Sequence, residues 1–552
     1  MWSTLVLVTC LGLLDLCKGA PSLSSSVWNM PWPVAGYKSY LSVMPMRYET
    51  PAGLASLNIS FSGMKTGRSC PERDIHIVIE NGGLPLVDLA ENSLPEHFIT
   101  PEDPSIKLVI KPGQIAELSL IRPPPGPWYI VGYLKGVETA IKQKGLHAEE
   151  SCNYLYMSMA KFSAPIKSTE ILPGDEVEAV IDAKGSFFSF AVPSSAINFE
   201  VNVLSCEPAP CPLSLRHLTF VPRDSQEVSG DCSSPVNSTN VTQPCLLHVS
   251  SPLLNDVQMI KVKFMGDRRQ NRTIVFKLEV QECSPFATAS APLSCGLTPP
   301  LDRIQSPFPM TTRFGAVGSN TVSLVADLAA ATVTSIPFTI LEPNDVGGTL
   351  KWQIRLVPSP QTNISTVQVC GGLMYNKLPD TSLSQLDLCK ADIPGLVNLT
   401  QTVKADPKHR SGLYDEVKRY IAYPQAGQWH IVLQSHCFTE NRMPVDCGDR
   451  VLVEMMLEVQ KCVDGECSGH GTCRFSTTGT DLVSFSVCQC DADYRGYGCS
   501  DARHAQSVAV QLAGAYLLTL SNLFFIPAIV LGLRRGFLFE AFVYFFTMFF
   551  ST

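Results

Sequence analysis

Arg122–Gly132 reads RPPPGPWYIVG, and Tyr423–Leu433 reads YPQAGQWHIVL. In both, Pro and Gly lead into Trp, one further residue, then Ile-Val. A proline run ahead of an apolar strand fits entry at a sheet edge, where the missing N–H costs least. Asn81-Gly82-Gly83-Leu84 is echoed by Gly371-Gly372-Leu373. The offsets, 301 residues for the Trp motif and 289 for the Gly motif, differ by little more than a loop. The pattern predicts two copies of one β-sandwich-like unit; the bland alternative is coincidence between short β motifs.

Working outward, Ser56–Ser62 (SLNISFS) and Asp74–Glu80 (DIHIVIE) alternate apolar and polar residues, as half-buried strands do. The first unit is expected over 20–164 and its repeat over 316–460. Between them, 165–284 reads as a separate β-rich unit, with Phe187–Val192 and Ile197–Leu204 paired around a Pro-Ser-Ser turn. Ser284–Arg313 is rich in Pro, Ser and Thr and predicts a linker over 285–315. The fold class is therefore mostly β, with several extracellular sandwich-like units ahead of helical transmembrane segments.

The compartment follows from both ends. Leu5–Leu16 is an apolar core followed by Cys17 and Gly19, which reads as a signal peptide over 1–19. Val508–Leu533 (VAVQLAGAYLLTLSNLFFIPAIVLGL) carries no charge. As a helix it would rise roughly 39 Å, against a hydrocarbon core of roughly 30 Å. Arg534 and Arg535 follow and favour the cytoplasmic side, so the preceding residues are expected outside a cell membrane. Of twenty cysteines, two fall in the leader, and the even remainder suits disulfides in an oxidising compartment. Local pairs such as Cys70–Cys152 or Cys437–Cys447 fit, although spacing alone does not fix them. Sequons at Asn58, Asn237, Asn240, Asn271, Asn363 and Asn398 all lie on the same side and predict N-glycans.

The formal charge of −8, without a basic cluster ahead of the membrane segment, excludes nucleic acid as the main partner. The ectodomain has no G-x-S-x-G elbow and no H-E-x-x-H. Its histidines are scattered. His430 and His436 flank an expected strand and read as satisfied core or surface groups, and Glu149-Glu150 as a solvated loop face. A carboxylate pair formed only in space stays open.

Cys462–Cys499 has the spacing C-x4-C-x5-C-x14-C-x-C-x8-C, with Gly469, Gly471, Tyr494, Gly496 and Gly498 at turn positions. It resembles an epidermal-growth-factor-like (EGF-like) module, placed over 461–501. The resemblance implies the pairs Cys462–Cys473, Cys467–Cys488 and Cys490–Cys499. So small a segment cannot build an adequate core without crosslinks. Calcium-binding versions place acidic residues just before the first cysteine. Glu458-Val459-Gln460-Lys461 departs from that, so neither calcium nor another metal is expected. A rigid module here would act as a spacer setting the height of the β domains.

Gly536–Thr552 (GFLFEAFVYFFTMFFST) opens a second apolar run, read as the start of a truncated second span over 537–552. The run LLTLSNLFFIPAIVLGLRRGFLFEAFVYFFTMFFST, directly after the EGF-like module, resembles the transmembrane protein 8 family. That resemblance implies a seven-helix membrane hydrolase, described in one member as a phospholipase A2 that removes an acyl chain from the lipid of GPI-anchored proteins and sheds them. It implies membrane lipid and GPI-anchored proteins as partners. It also implies a site of Ser, Asp and three His around zinc, of which only the Ser is matched, by Ser551. A zinc hydrolase needs about three protein ligands and an open position. The expectation is therefore no cofactor in residues 1–552 and no activity for this chain alone. The competing expectation is a non-catalytic adhesion or receptor-like glycoprotein on an EGF-like stalk.

Overall fold

The computed structural model describes residues 26–550, apart from 29–30, 68–69, 88–93, 96, 100–104, 137–151, 182–183, 209–210, 219–228, 233–244, 267–270, 284–294, 305–307, 319–322, 329–331, 358–363, 380–386, 391–395, 403–415, 446, 448–450, 464–466 and 479–482. Three two-sheet sandwiches precede a disulfide-bonded hairpin and a group of apolar helices.

In the first sandwich, one sheet runs in the order Met46–Thr50, Gly126–Leu134, Ile75–Asn81, Ile106–Ile110. The facing sheet runs Ser26–Trp28, Asn153–Phe162, Ser56–Thr66, Ile115–Ile121. The third sandwich repeats this path. Val333–Ile340, Gly427–Phe438, Thr366–Tyr375 and Val397–Thr402 form one sheet; Val451–Gln460, Thr349–Leu356 and Glu416–Ala422 carry the other, with Leu324–Leu328 on the outer side of Val451–Gln460.

The middle unit has the same topology, which corrects the expectation of only two copies. Ser186–Ala191, Val257–Phe264, Leu213–Leu218 and Ser229–Cys232 answer to the first sheet. Glu176–Ile181, Arg272–Glu282, Ala196–Glu207 and Leu246–Ser250 answer to the second. One corner marks all three copies. Arg122, Ser251 and Tyr423 each precede a proline and each adopt positive φ, at 52°, 48° and 51°. A non-glycine residue rarely does so. Each is held by the same bond: its N–H donates to a carbonyl near the start of a neighbouring strand, of Ala55, Ile197 and Gly348, at 3.0 Å in every case. Copies one and three also share a Trp clamp. Trp128 Nε1 donates to the Pro124 carbonyl at 3.1 Å, and Trp429 Nε1 to the Gln425 carbonyl at 2.9 Å.

The Trp-x-Ile-Val strands are apolar without alternation because both their faces are covered. Trp128, Ile130 and Leu134 enter the first sandwich's own core, while Tyr129, Val131 and Tyr133 join the core centred on the third sandwich. Likewise Trp429, Ile431 and Leu433 face their own core and Val432 packs with the middle unit. The third sandwich is thus central and both others bury a face against it. An ion pair adds to this contact: Arg47 Nε donates to Glu342 Oε1 at 2.7 Å, and the Tyr129 hydroxyl donates to the same oxygen.

The expected linker over 285–315 is not one where it is described. Cys283 is bonded to Cys295, and Cys295–Leu297 pairs in parallel with Val333–Ser335. Asp302–Ile304 pairs with Arg313–Gly315, which joins Val451–Gln460. Arg303 supplies the counter-ion of Asp345, a carboxylate with no exposure whose other oxygen accepts from the Thr312 hydroxyl at 2.7 Å. Edge pairing uses backbone groups that composition does not report, and a buried carboxylate without a partner is costly.

Candidate functional site

The disulfide module does not stand free as a spacer. The structure bonds Cys462 to Cys473, Cys467 to Cys488 and Cys490 to Cys499, around the hairpin Gly471–Thr478 and Val483–Cys490. Val483, Phe485 and Val487 are buried in the core shared by the first and third sandwiches. Ser486 N–H and its hydroxyl both donate to the Gly347 carbonyl, at 2.8 and 3.1 Å. Tyr423 donates its hydroxyl to the Ser486 carbonyl at 3.1 Å, and its ring lies 4.8 Å from Tyr40 and 5.0 Å from Tyr497. Phe98 bridges Tyr420 and Tyr497, with centroids 5.3 and 5.5 Å away. Aromatic pairs of this kind add about 0.5–1.5 kcal/mol each beyond burial. In the first and third copies the corner residue is therefore a connecting pin. Tyr423 fastens the module, and its counterpart Arg122 donates to the Leu218 carbonyl of the middle unit. Burial pushes the Arg122 guanidinium down to about 10, with Asp256 opposing.

The module continues into the helices without slack. Arg495 and Asp501 exchange backbone hydrogen bonds at 3.0 Å, and Arg503 forks onto the Asp501 carboxylate at 2.6–3.0 Å. Gln506 N–H donates to the Ala492 carbonyl at 2.9 Å and its amide donates to Asp493 at 2.9 Å. Ser507 then caps helix α1, Val508–Leu523, accepting from Val510 N–H. Helix α2, Phe525–Arg534, continues it after Phe524. That break falls one turn ahead of Pro527, whose ring would clash with the Leu523 carbonyl. Val508–Arg534 is 27 residues whose most apolar 18-residue stretch has a mean hydropathy of 2.0, long and apolar enough to cross a membrane, and almost none of that stretch is buried. The Thr519 hydroxyl is satisfied within the helix by the Ala515 carbonyl at 2.9 Å.

A tight turn reverses the chain. Gly536 has φ 78°, its N–H donates to the Leu533 carbonyl, and Phe537 N–H donates to the Gly532 carbonyl. This is a Schellman ending, which favours glycine at that position. Helix α3, Leu538–Phe550, packs back on α2, where a Cβ on Gly532 would lie 3.2 Å from Ala541 Cβ.

Asn58, Asn271 and Asn398 are exposed, as a glycan acceptor must be. Asn237, Asn240, Asn363, the 1–19 leader and Ser551 lie outside the described residues. His430 and His436 lie on one strand, Gly427–Phe438, rather than flanking it. His430 is fully buried, 3.0 Å from the Ser335 hydroxyl, and burial pushes its imidazole down to about 4. His217, 2.8 Å from Gln258 Oε1, is also lowered by burial. Among the described residues neither has a carboxylate hydrogen-bonded to it in the manner of a general base, and both read as core groups. Among the described residues two clusters have metal-like spacing, Cys462/Cys467/Cys488 and Asp387/Cys389/His436. Neither fits zinc, because every sulfur in them is spent in a disulfide: Cys389 is bonded to Cys370. A sulfur binds zinc as a thiolate, which a disulfide cannot supply, and Asp387 with His436 leaves two ligands where about three are needed.

Fold and helices together define a multi-domain β protein ending in an apolar helical hairpin. A family model described as the PGAP6/TMEM8 beta-sandwich domain matches residues 299–462, and one described as a protein of unknown function (DUF3522) matches 510–552. Post-GPI attachment to proteins factor 6 of Mus musculus is 24% identical over 559 residues, covering 95% of this chain and 69% of that protein. The Homo sapiens form is 25% identical over 570 residues, with the same coverage. Transmembrane protein 8B of Homo sapiens is 41% identical over 133 residues, covering 24% of this chain and 27% of that protein. Residues 299–462 thus match the beta-sandwich domain of the transmembrane protein 8 family, and likeness to its members runs along 95% of the chain. Among solved structures, an archaeal virus triple jelly roll covers 79% of this chain and 88% of that one at a TM-score of 0.14 and 10% identity, a likeness that carries no argument.

Proposed function

We infer that the protein is a membrane glycoprotein of GPI-anchor processing, which hydrolyses an acyl ester on the lipid of GPI-anchored proteins and releases them. What carries this reading is likeness along 95% of the chain to two proteins named for post-GPI attachment. The β units stand outside the cell, and Arg534 and Arg535 mark the cytosolic turn. Ser551 supplies the hydroxyl that the family's site uses.

The rigid course from sandwich to module to helix supports a division of labour. A client tethered by its lipid presents protein and glycan above the bilayer and the ester within it. A β body locked to the membrane helix meets the former at a fixed height while the ester reaches the helices. Holding the client this way converts an encounter into a positioned one.

The test uses cells lacking the endogenous protein that express its native full-length form. A GPI-anchored reporter should appear in the medium with its anchor shorn of one acyl chain by mass spectrometry. Ser551→Ala should abolish this at unchanged surface abundance. Equal release from Ser551→Ala would overturn the reading and favour the adhesion alternative. Topology has its own check. Protease added to intact cells should cut within 26–506, whereas an antibody against the Arg534–Phe537 turn should bind only after permeabilisation. The opposite pattern would invert the arrangement.

A further inference from the structure

We propose that the Asp501–Arg503 buckle makes the protein a height gauge, which selects clients by how far above the bilayer their folded part is carried. The proposal rests on the lipid-hydrolase reading above and names what that reaction selects. Eight residues, 500–507, separate the last cysteine from the first residue of α1. Extended, they would span about 26 Å. As a plain tether they would let the β body rise and swing through that distance. The chain is instead folded back on the module. Asp501 is 5% exposed, and its carboxylate accepts from the Arg503 N–H at 3.0 Å as well as from the guanidinium. A forked pair of this kind fixes an angle as well as a distance. Ala505 N–H donates to the Ala502 carbonyl at 3.0 Å, and Gln511 of α1 donates its amide to the Gln506 carbonyl at 2.9 Å. The turn that receives Gln506 is itself braced. Asp491 N–H donates to the His470 carbonyl at 2.9 Å, and the Tyr494 ring stacks on His470 at 4.0 Å.

The levels above and below are set too. The Tyr497 and Thr349 hydroxyls are 2.8 Å apart, which ties the module to the third sandwich. Pro95 of the first sandwich lies where a Cβ on Gly498 would be 2.8 Å from its Cγ. Below, Val508, Val510 and Leu512 open α1 and are exposed, so apolar surface begins directly at the Ser507 cap. The body therefore keeps one height above the lipid. A lipid-anchored client has one variable length, the stretch between its anchor and its folded part. Effective concentration between tethered partners is near zero when the tether is too short. It is greatest when the tether matches the span, and falls roughly as the −3/2 power of length beyond that. A body at fixed height reads that length, whereas a swinging one averages over it. Asp501 and Arg503 are thus positioning residues that set client choice.

The experiment uses cells making the full-length protein and GPI-anchored fluorescent reporters with graded, flexible Gly-Ser spacers between folded domain and anchor. Release should peak at one spacer length and fall about eightfold for a fourfold lengthening beyond it. Asp501→Ala combined with Arg503→Ala should flatten the profile to within about twofold, at unchanged surface abundance. Eleven helix-forming residues inserted after Ser507 add about three turns and about 16 Å, and return the body to nearly the same facing. This lift should keep the peak and move it to longer spacers. A flat wild-type profile overturns the proposal, and so does a peak that the lift does not move. If the double variant fails to reach the surface, the lifted protein, whose buckle is intact, decides alone. Crosslinking of reporter to β body in Ser551→Ala needs no hydrolysis and reads the same series. A peak in crosslinking without Ser551-dependent release sinks the hydrolase reading and keeps the gauge. Ser551-dependent release with a flat profile sinks the gauge and keeps the reading.

Discussion

Gly347→Ala should dislodge the disulfide module from the sandwiches. A Cβ at this position would lie 2.1 Å from the Ser484 carbonyl oxygen and 2.6 Å from Phe485 Cα. Both are backbone atoms of the hairpin and cannot rotate away. The hairpin must retreat, and with it go the two Ser486 bonds to the Gly347 carbonyl and the bond from Cys462 N–H to the Ser486 hydroxyl at 3.1 Å. Phe485, with no exposure, then loses its seat against Tyr40 at 5.3 Å. Overpacking of a tight core costs about 1–3 kcal/mol and sometimes more; with the bonds lost as well, about 3–5 kcal/mol is expected. The readouts are a lowered melting temperature of the purified protein and new protease cleavage near 461–500 on intact cells. Gly514→Ala is the control, because a Cβ there meets nothing within 4 Å. Unchanged melting and cleavage in Gly347→Ala would show that the module is not seated as described.

That joint was only half legible in the sequence. The cysteine spacing announces a crosslinked module, but nothing in it says that Phe485 faces a core shared by two other domains. Contacts across more than 400 residues, such as Tyr40 with Phe485, leave no local pattern. The repeat was legible where Trp128 and Trp429 mark it. It was missed in the middle unit because Val257–Phe264 has no Trp before it. The signal that would have found it is the pair Ser251-Pro252, which sits where Arg122-Pro123 and Tyr423-Pro424 do. The linker was misread for a related reason. Strands of three residues such as Asp302–Ile304 are too short to show alternation, and their pairing is a backbone matter. In the C-terminal helices the apolar length was plain.

Acidification should loosen the same body through its buried histidines. His430 has no exposure and its imidazole is pushed down to about 4 by burial, against about 6.5 when the chain unfolds. The folded state therefore holds the neutral form. Stability from this group is complete above about pH 6.5 and drains away as the pH falls towards 4, because the unfolded chain takes up the proton first. Between pH 7 and 4.5 the loss is about 2 kcal/mol. His217 is lowered by burial too and adds in the same direction. Carboxylates held low by partners, such as Glu454 by Ser323 and Arg355, also lose stability on protonation. A comparison of variants is therefore needed to isolate the imidazoles. His430→Gln keeps a polar group near Ser335 and removes the titration. Its urea midpoint should fall somewhat at pH 7 but decline less than wild type between pH 7 and 4.5. His217→Gln combined with His430→Gln should flatten the curve further. Parallel curves for wild type and the double variant would mean that neither histidine is held neutral by its burial, and the seating of both strands would have to be redrawn.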